Sequence, residues 1–364
     1  MKLYILSFIL TLHLPVLTTG FAIPHNRCSS HASISFETRR TTLLNANLIT
    51  FDLDDTLFPV GPVVQDANTA LISHLNDLGY PDITQESLIG STKSIRTELS
   101  KNDKVITYTE LRKRAIYQEI CKPGANEFPI VIDENGDAKE STLYSDNEEM
   151  KSLVEEAYNI WEENRHLAAE RHLYHDTIIM LQNLRNDFPM VTIGAITNGK
   201  GNPLMMKKTV SQYFDFCVSG EDDDVFPNRK PHQGIYKKTL EYYREMKSIT
   251  DDCKEQEECF CWVHVGDDLA NDVGASANAG ALAIWADLSE EYDQSTPNQF
   301  KDGSKTENSN DEQQQPFWST ASQEEIEKRK MLNDNSLKFV SARIEKLCDL
   351  PEAITNVIAK KIVK

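Results

Sequence analysis

Leu48-Ile49-Thr50-Phe51-Asp52-Leu53-Asp54-Asp55-Thr56-Leu57 is an apolar, β-rich run that breaks abruptly into clustered acids. Such a run reads as a buried strand, because it is apolar and β-rich and charge follows it at once. Acids held together at a strand end repel one another unless a cation neutralises them. Side chains alternate along an extended chain, so Asp52 and Asp54 aim the same way while Leu53 points back. One of the pair is then placed to attack and both to face a shared metal, which points to nucleophilic catalysis by a carboxylate. An isolated Asp-x-Asp is more often a solvated turn or a helix cap. The rest of the chain decides between the two.

Three later segments bear on that choice. Val191-Thr192-Ile193-Gly194-Ala195-Ile196 is a second strand candidate, ending in Thr197-Asn198-Gly199. A hydroxyl and backbone amides at a strand end suit a phosphate oxygen, since they donate hydrogen bonds without bulk. Pro227-Asn228-Arg229-Lys230-Pro231 precedes a helical stretch with Ile235, Leu240 and Tyr243 on one face. Pro231 suits the first helical turn. Lys230 would then stand at a helix start, where the dipole disfavours a cation unless it serves a bound anion. Trp262-Val263-His264-Val265-Gly266-Asp267-Asp268-Leu269-Ala270-Asn271-Asp272 reads as a strand, a glycine turn and acids opening a helix. Asp267 is placed to ligate a metal beside Asp52, with Asp268 and Asp272 completing the outer shell or orienting Lys230. All-oxygen ligands and a phosphate to fill a remaining position make Mg²⁺ the expected ion.

These four elements, in this order, resemble the haloacid dehalogenase (HAD) superfamily of phosphohydrolases. The resemblance implies that Asp52 is the nucleophile forming an aspartyl-phosphate. It makes Asp54 the acid/base that protonates the leaving oxygen and then activates water. Thr197 and the Asn198 amide match the phosphate-holding position, and Lys230 the cation that screens nucleophile and phosphoryl charge. Asp267 resembles the acidic Mg²⁺ ligand, joined by Asp52 and the Asp54 carbonyl, with Asp272 as its acidic companion. The second aspartate and Asp267 separate the pattern from the dehalogenases of the superfamily. A binding protein on the same fold would have no use for Asp54.

The stretches 52–64, 195–236 and 264–285 further resemble a subgroup of bacterial and plant-plastid phosphatases. Those act on flavin mononucleotide (FMN) and on 5-amino-6-(5-phosphoribitylamino)uracil, so the implied substrate is one of these small phosphorylated metabolites. A sugar phosphate or phosphoglycolate is the alternative. The resemblance spans residues 47–286 and is weakest in the middle, where specificity resides.

The expected architecture is an α/β, HAD-like doubly wound parallel sheet with a Rossmann-like core and an inserted α-helical cap. Further strands are expected at 214–219, 281–286 and 338–342. Asp52, Thr197 and Asp267 all fall at carboxyl ends of strands, where such sheets bind ligands. The core is read over 47–60 and 176–364, and the cap over 61–175. Leu71, Leu75 and Leu78 share a face of one cap helix, Thr107-Tyr108-Thr109-Glu110 forms a capping box for another, and 153–161 continues the pattern. Arg112, Arg114 and Arg165 are polar cap residues that could meet a nucleobase or ribityl chain, although such arginines more often form a solvated face. Polar segments at 122–146 and 289–323 read as flexible inserts outside the fold.

Residues 1–20 read as a signal peptide: Lys2, then an apolar stretch too short to span a membrane. Residues 21–46 have transit-peptide composition, with Arg27, Arg39 and Arg40 against the single acid Glu37. Gly20-Phe21-Ala22-Ile23-Pro24 resembles the junction of bipartite plastid presequences in diatoms and related algae, which implies a plastid protein with no membrane attachment when mature. Secretion is the alternative, but the chain has no Asn-x-Ser/Thr acceptor and its 7 cysteines form no disulfide-like pattern. Cys253, Cys259, Cys261 and His264 are close enough for zinc, yet Cys261 and His264 belong to an expected core strand. A net charge of −19 argues against a nucleic-acid partner.

Overall fold

Leu48–Phe51 forms β1, and all four residues are buried. They can be, because strands flank it on both sides and helices cover both faces. The remaining strands are β2 (Thr192–Thr197), β3 (Phe216–Ser219), β4 (Trp262–Gly266), β5 (Leu282–Ala286) and β6 (Val340–Ile344). All pair in parallel, in the order β3-β2-β1-β4-β5-β6. The chain runs outward from β1 to β3, then returns to the other side of β1 as β4. This reversal beside β1 is the topological switch point at which open α/β sheets bind ligands. The computed structural model describes residues 46–101, 104–121, 147–248, 260–294 and 323–363.

Strand alternation sorts the core into two layers. Ile49, Phe51, Val263 and Val265 pack on one face with α5 (Thr177–Asp187) and α9 (Leu350–Val363). Leu48, Ile196 and Trp262 pack on the other with α6 (Gln233–Met246) and α7 (Ala275–Asn278). Ile49, Phe51 and Val263 are 0% exposed, and burying each such side chain stabilises the fold by about 1.5–3 kcal/mol.

Among the described residues, four helices intervene between β1 and α5: α1 (Val60–Asp77), α2 (Gln85–Lys101), α3 (Tyr108–Ile120) and α4 (Glu148–Arg171). They share a second apolar cluster, with Leu71 and Leu75 against Ile116, Val154, Tyr158 and Trp161. Gly79 follows α1 at φ 95°, a left-handed conformation open to glycine at little cost. Thr107 caps α3 by accepting from Glu110 N at 3.0 Å. Glu110 turns its own carboxylate to Arg114 at 2.6 Å, so only half of the expected capping box forms.

Other expectations differ in detail. Pro231 is not in the first turn of α6: His232 is the N-cap and the helix begins at Gln233. Ala46, assigned to the transit-like segment, is already buried beside β1. Of the insert expected at 289–323, residues 289–294 pack on the core instead. Tyr292 is buried, and Gln294 donates to the carbonyls of Asp55 at 2.7 Å and Ala286 at 2.8 Å, satisfying groups that burial would otherwise strand. Gln323 opens α8 (Gln323–Ser336). The segments read as a presequence (up to residue 45) and as an insert (122–146), residues 295–322, Cys253 and Cys259 lie outside the described residues. Among the described residues, no helix is long and apolar enough to cross a membrane.

Candidate active site

At the carboxyl end of β1, Asp52 is 7% exposed, and β4 brings Asp267 and Asp272 beside it. One carboxylate oxygen from each of the three lies within 4.8 Å of the others. Asp267 follows β4 directly and accepts from Thr56 Oγ1 at 3.3 Å. Asp272 reaches the cluster from a π-helical turn, Leu269–Gly274, whose N-cap Asp268 accepts from Asn271 N at 2.6 Å. That approach requires Gly266: a Cβ there would meet Asp272 Cγ at 2.4 Å.

Lys230 Nζ donates to Asp52 Oδ1 and, at 2.8 Å, to Asp272 Oδ1. Asp268 N donates to the other Asp272 oxygen at 3.1 Å, so Asp272 orients the lysine with one oxygen and is braced through the other. A buried relay supports it. Trp262 Nε1 donates to Thr50 Oγ1 at 2.8 Å, and that hydroxyl is hydrogen-bonded to His264 Nδ1 at 2.8 Å. His264 Nε2 lies 3.5 Å from Asp272 Oδ1. His264 thus serves the carboxylate cluster, and buried Cys261 donates its backbone N–H to Asn47 Oδ1 at 2.8 Å.

Thr197 ends β2, 1% exposed, and lines the same cavity as Asp52. The Asn198 side chain clamps the Lys230 backbone: its Oδ1 accepts from Lys230 N at 2.8 Å and its Nδ2 donates to Lys230 O at 3.0 Å.

Asp54 turns toward the helices. Arg165 Nη2 donates to both of its oxygens, at 2.8 and 3.0 Å. Arg165 is 3% exposed, so its reading as a solvated surface residue is wrong; the same holds for Arg114, buried against Glu110. Arg112 is half-buried over the Trp161 ring. Arg112 and Arg165 line the cavity over the carboxylates. Glu221, which no sequence signal singled out, is buried after β3 and accepts from Thr109 N at 2.8 Å and Thr109 Oγ1 at 2.6 Å, fastening α3 to the sheet.

Charge is concentrated here beyond what one lysine neutralises. Burial pushes Asp52 up to about 8, with Lys230 opposing and Asp272 and Asp54 adding repulsion. Burial likewise raises Asp267 well above the carboxylate range, reinforced by Asp272 and Asp52. On Asp272 burial also acts upward, but Lys230 and His264 outweigh it and hold the group below its ordinary value. Asp52 and Asp267 are therefore hard oxygen donors seeking a cation, and they fit Mg²⁺. The cavity over them measures about 360 Å³ and is roofed by Arg112, Tyr158, Trp161 and Arg165.

A family model for haloacid dehalogenase-like hydrolases matches residues 46–280, from β1 through β4. The chain belongs to this family. Among solved structures it resembles the 2-haloacid dehalogenase of Pseudomonas syringae pv. Tomato DC3000 at 20% identity and TM-score 0.52, over 85% of this chain and 99% of that one. The HAD hydrolase YfnB of Bacillus subtilis, bound to magnesium, aligns at 16% identity and TM-score 0.39, over 66% of this chain and 87% of that one. A β-phosphoglucomutase from Clostridium difficile aligns at 14% identity and TM-score 0.41, over 88% and 100%. No curated protein sequence matches significantly. The first of these likenesses, at TM-score 0.52, bears on the fold alone and leaves the reaction to the site residues.

Proposed function

We propose that this HAD hydrolase is a Mg²⁺-dependent phosphomonoesterase. The observation carrying the reading is Lys230 bridging Asp52 and Asp272 beside Asp267, with Asp54 two residues on. Phosphoryl transfer needs neutralised charge and positioned groups more than it needs covalent ingenuity. Bound by Asp52, Asp267 and the Asp54 carbonyl, Mg²⁺ would supply the positive charge that lets a carboxylate meet a phosphate. Asp52 Oδ attacks phosphorus, the bond to the leaving oxygen breaks, and Asp54 gives that oxygen its proton. Asp54 then takes a proton from water as the water attacks phosphorus and frees Asp52. Lys230 holds Asp52 in place, while Thr197 and the Asn198 amide hold phosphoryl oxygens. The helices α1–α4 act as the cap that keeps water from the site. Halide displacement would need neither Asp54 nor Asp267, which favours the phosphoryl reading.

The substrate is a small phosphorylated metabolite, for which a cavity of about 360 Å³ has room. Sequence resemblance puts FMN and 5-amino-6-(5-phosphoribitylamino)uracil at the head of the panel, with phosphoglycolate and a sugar phosphate as alternatives. Phosphate release across this panel, with Mg²⁺ and after chelation, is the test. Mg²⁺-dependent release is expected; no turnover of any phosphomonoester would overturn the reading. The presequence pattern supports delivery to a plastid, which a fluorescent fusion to residues 1–45 would check.

A further inference from the structure

Arg112 enters the cavity from α3, on the wall facing the carboxylates. Its guanidinium lies 3.6 Å from the centroid of the Trp161 ring. Asn68 Oδ1 accepts from Arg112 Nη1 at 3.0 Å and from Trp161 Nε1 at 2.9 Å. Asn68 is 3% exposed, so one buried oxygen fixes both the plane of the guanidinium and the ring behind it. A side chain that loses its rotamer freedom this way is preorganised for a partner.

Among the described residues no carboxylate pairs with Arg112. Arg114 meets Glu110, Arg165 meets Asp54, and Arg171 meets Asp66. The one hydrogen bond of Arg112 among the described residues goes to the neutral amide of Asn68. Glu221 is spent on the start of α3, accepting from Thr109 N and Oγ1. Burial pulls the guanidinium down to about 10 and Arg165 adds repulsion, against attraction from Tyr158 and Glu221. A fixed planar cation with spare donors, facing a ligand cavity, suits a carboxylate or phosphate oxygen pair.

We propose that Arg112 is a specificity-determining residue that binds a second anionic group, a carboxylate or a second phosphate, carried by the leaving group of the substrate. The inference rests on the phosphomonoesterase reading and narrows it. It favours esters such as phosphoglycolate over FMN, whose ring system bears no fixed charge at neutral pH.

Calorimetric binding to the full chain in Mg²⁺ tests it, with ligands that cannot be hydrolysed. Phosphonoacetate, phosphonopropionate and propylene bisphosphonate are compared with ethyl- and propylphosphonate, so that the carboxylate and phosphate arms are read separately. At least one charged ligand is expected to bind about tenfold or more tightly than its uncharged counterpart. Arg112→Gln should bring that ratio close to one, and Arg112→Lys should keep only part of it. A ratio near one in the wild-type protein, which needs no variant to fold, would overturn the proposal. So would a ratio that survives in a folded Arg112→Gln protein. Phosphate release from p-nitrophenyl phosphate, measured alongside, reads the parent activity: its absence counts against the phosphatase, whereas the binding ratio speaks to Arg112 alone.

Discussion

Asp54 and Arg165 are 111 positions apart in the chain, yet Arg165 Nη2 holds both oxygens of the carboxylate. A side chain meant to deliver and retrieve a proton must be aimed, and a buried guanidinium does this well. Removing the proton carrier by Asp54→Asn should slow turnover by about 10²–10⁴. Arg165→Gln should slow it by less, because the carboxylate remains but is loosely held. The double variant should then be no slower than Asp54→Asn alone, since both act through one group. Steady-state kinetics of the three proteins would show this; losses that simply multiply would give Arg165 a separate role. The two partners differ in how visible they are in sequence. Asp54 is conspicuous because charge interrupts an apolar run, whereas Arg165 lies in α4 among many other charges. Nothing in the local spacing marks Arg165 as facing inward.

At the scale of elements, strand ends place the groups and the turns after them do the fine work. The runs feeding Asp52, Thr197 and Asp267 are legible from sequence because unbroken apolar stretches of this length suit strands buried on both faces. The turn beyond β4 is less legible. Its π-helical winding swings Asp272 back under Gly266, and no periodicity predicts that excursion. Gly266→Ala should force the carboxylate aside, costing about 1–3 kcal/mol of stability and displacing Lys230 with it. Thermal melting together with turnover would check both effects, and an unperturbed, fully active variant would contradict the geometry. The start of α6 departs from expectation for a related reason: Pro231 suits a first turn, but His232 caps the helix one residue later.

Across the whole molecule, the helical layer leaves the sheet near α1 and returns at the end of α4. Asp66 joins those two ends, accepting from Arg171 at 2.6 Å and bonded to His172 at 2.7 Å. Burial acts upward on Asp66, but His172 and Arg171 outweigh it and lower its pKa. A carboxyl with a folded value below its unfolded one stabilises the fold above the unfolded value, and that contribution is lost as pH falls through the folded value. Asp66→Asn should therefore melt slightly lower than wild type at pH 7, by at most about 1 kcal/mol for so exposed a pair. The difference should vanish in acid, below the ordinary carboxylate range; a difference that persists there would contradict the pairing. On the proposed reading, the sheet supplies the attacking Asp52 and the helices choose what it attacks. Acid-quenched mass spectrometry of the protein mixed with a turned-over phosphomonoester and Mg²⁺ tests that role of Asp52 directly. A phosphoryl group on the peptide containing Asp52, absent from Asp52→Asn, is the predicted result. Turnover that persists in Asp52→Asn, or a phosphoryl group found elsewhere, would contradict it.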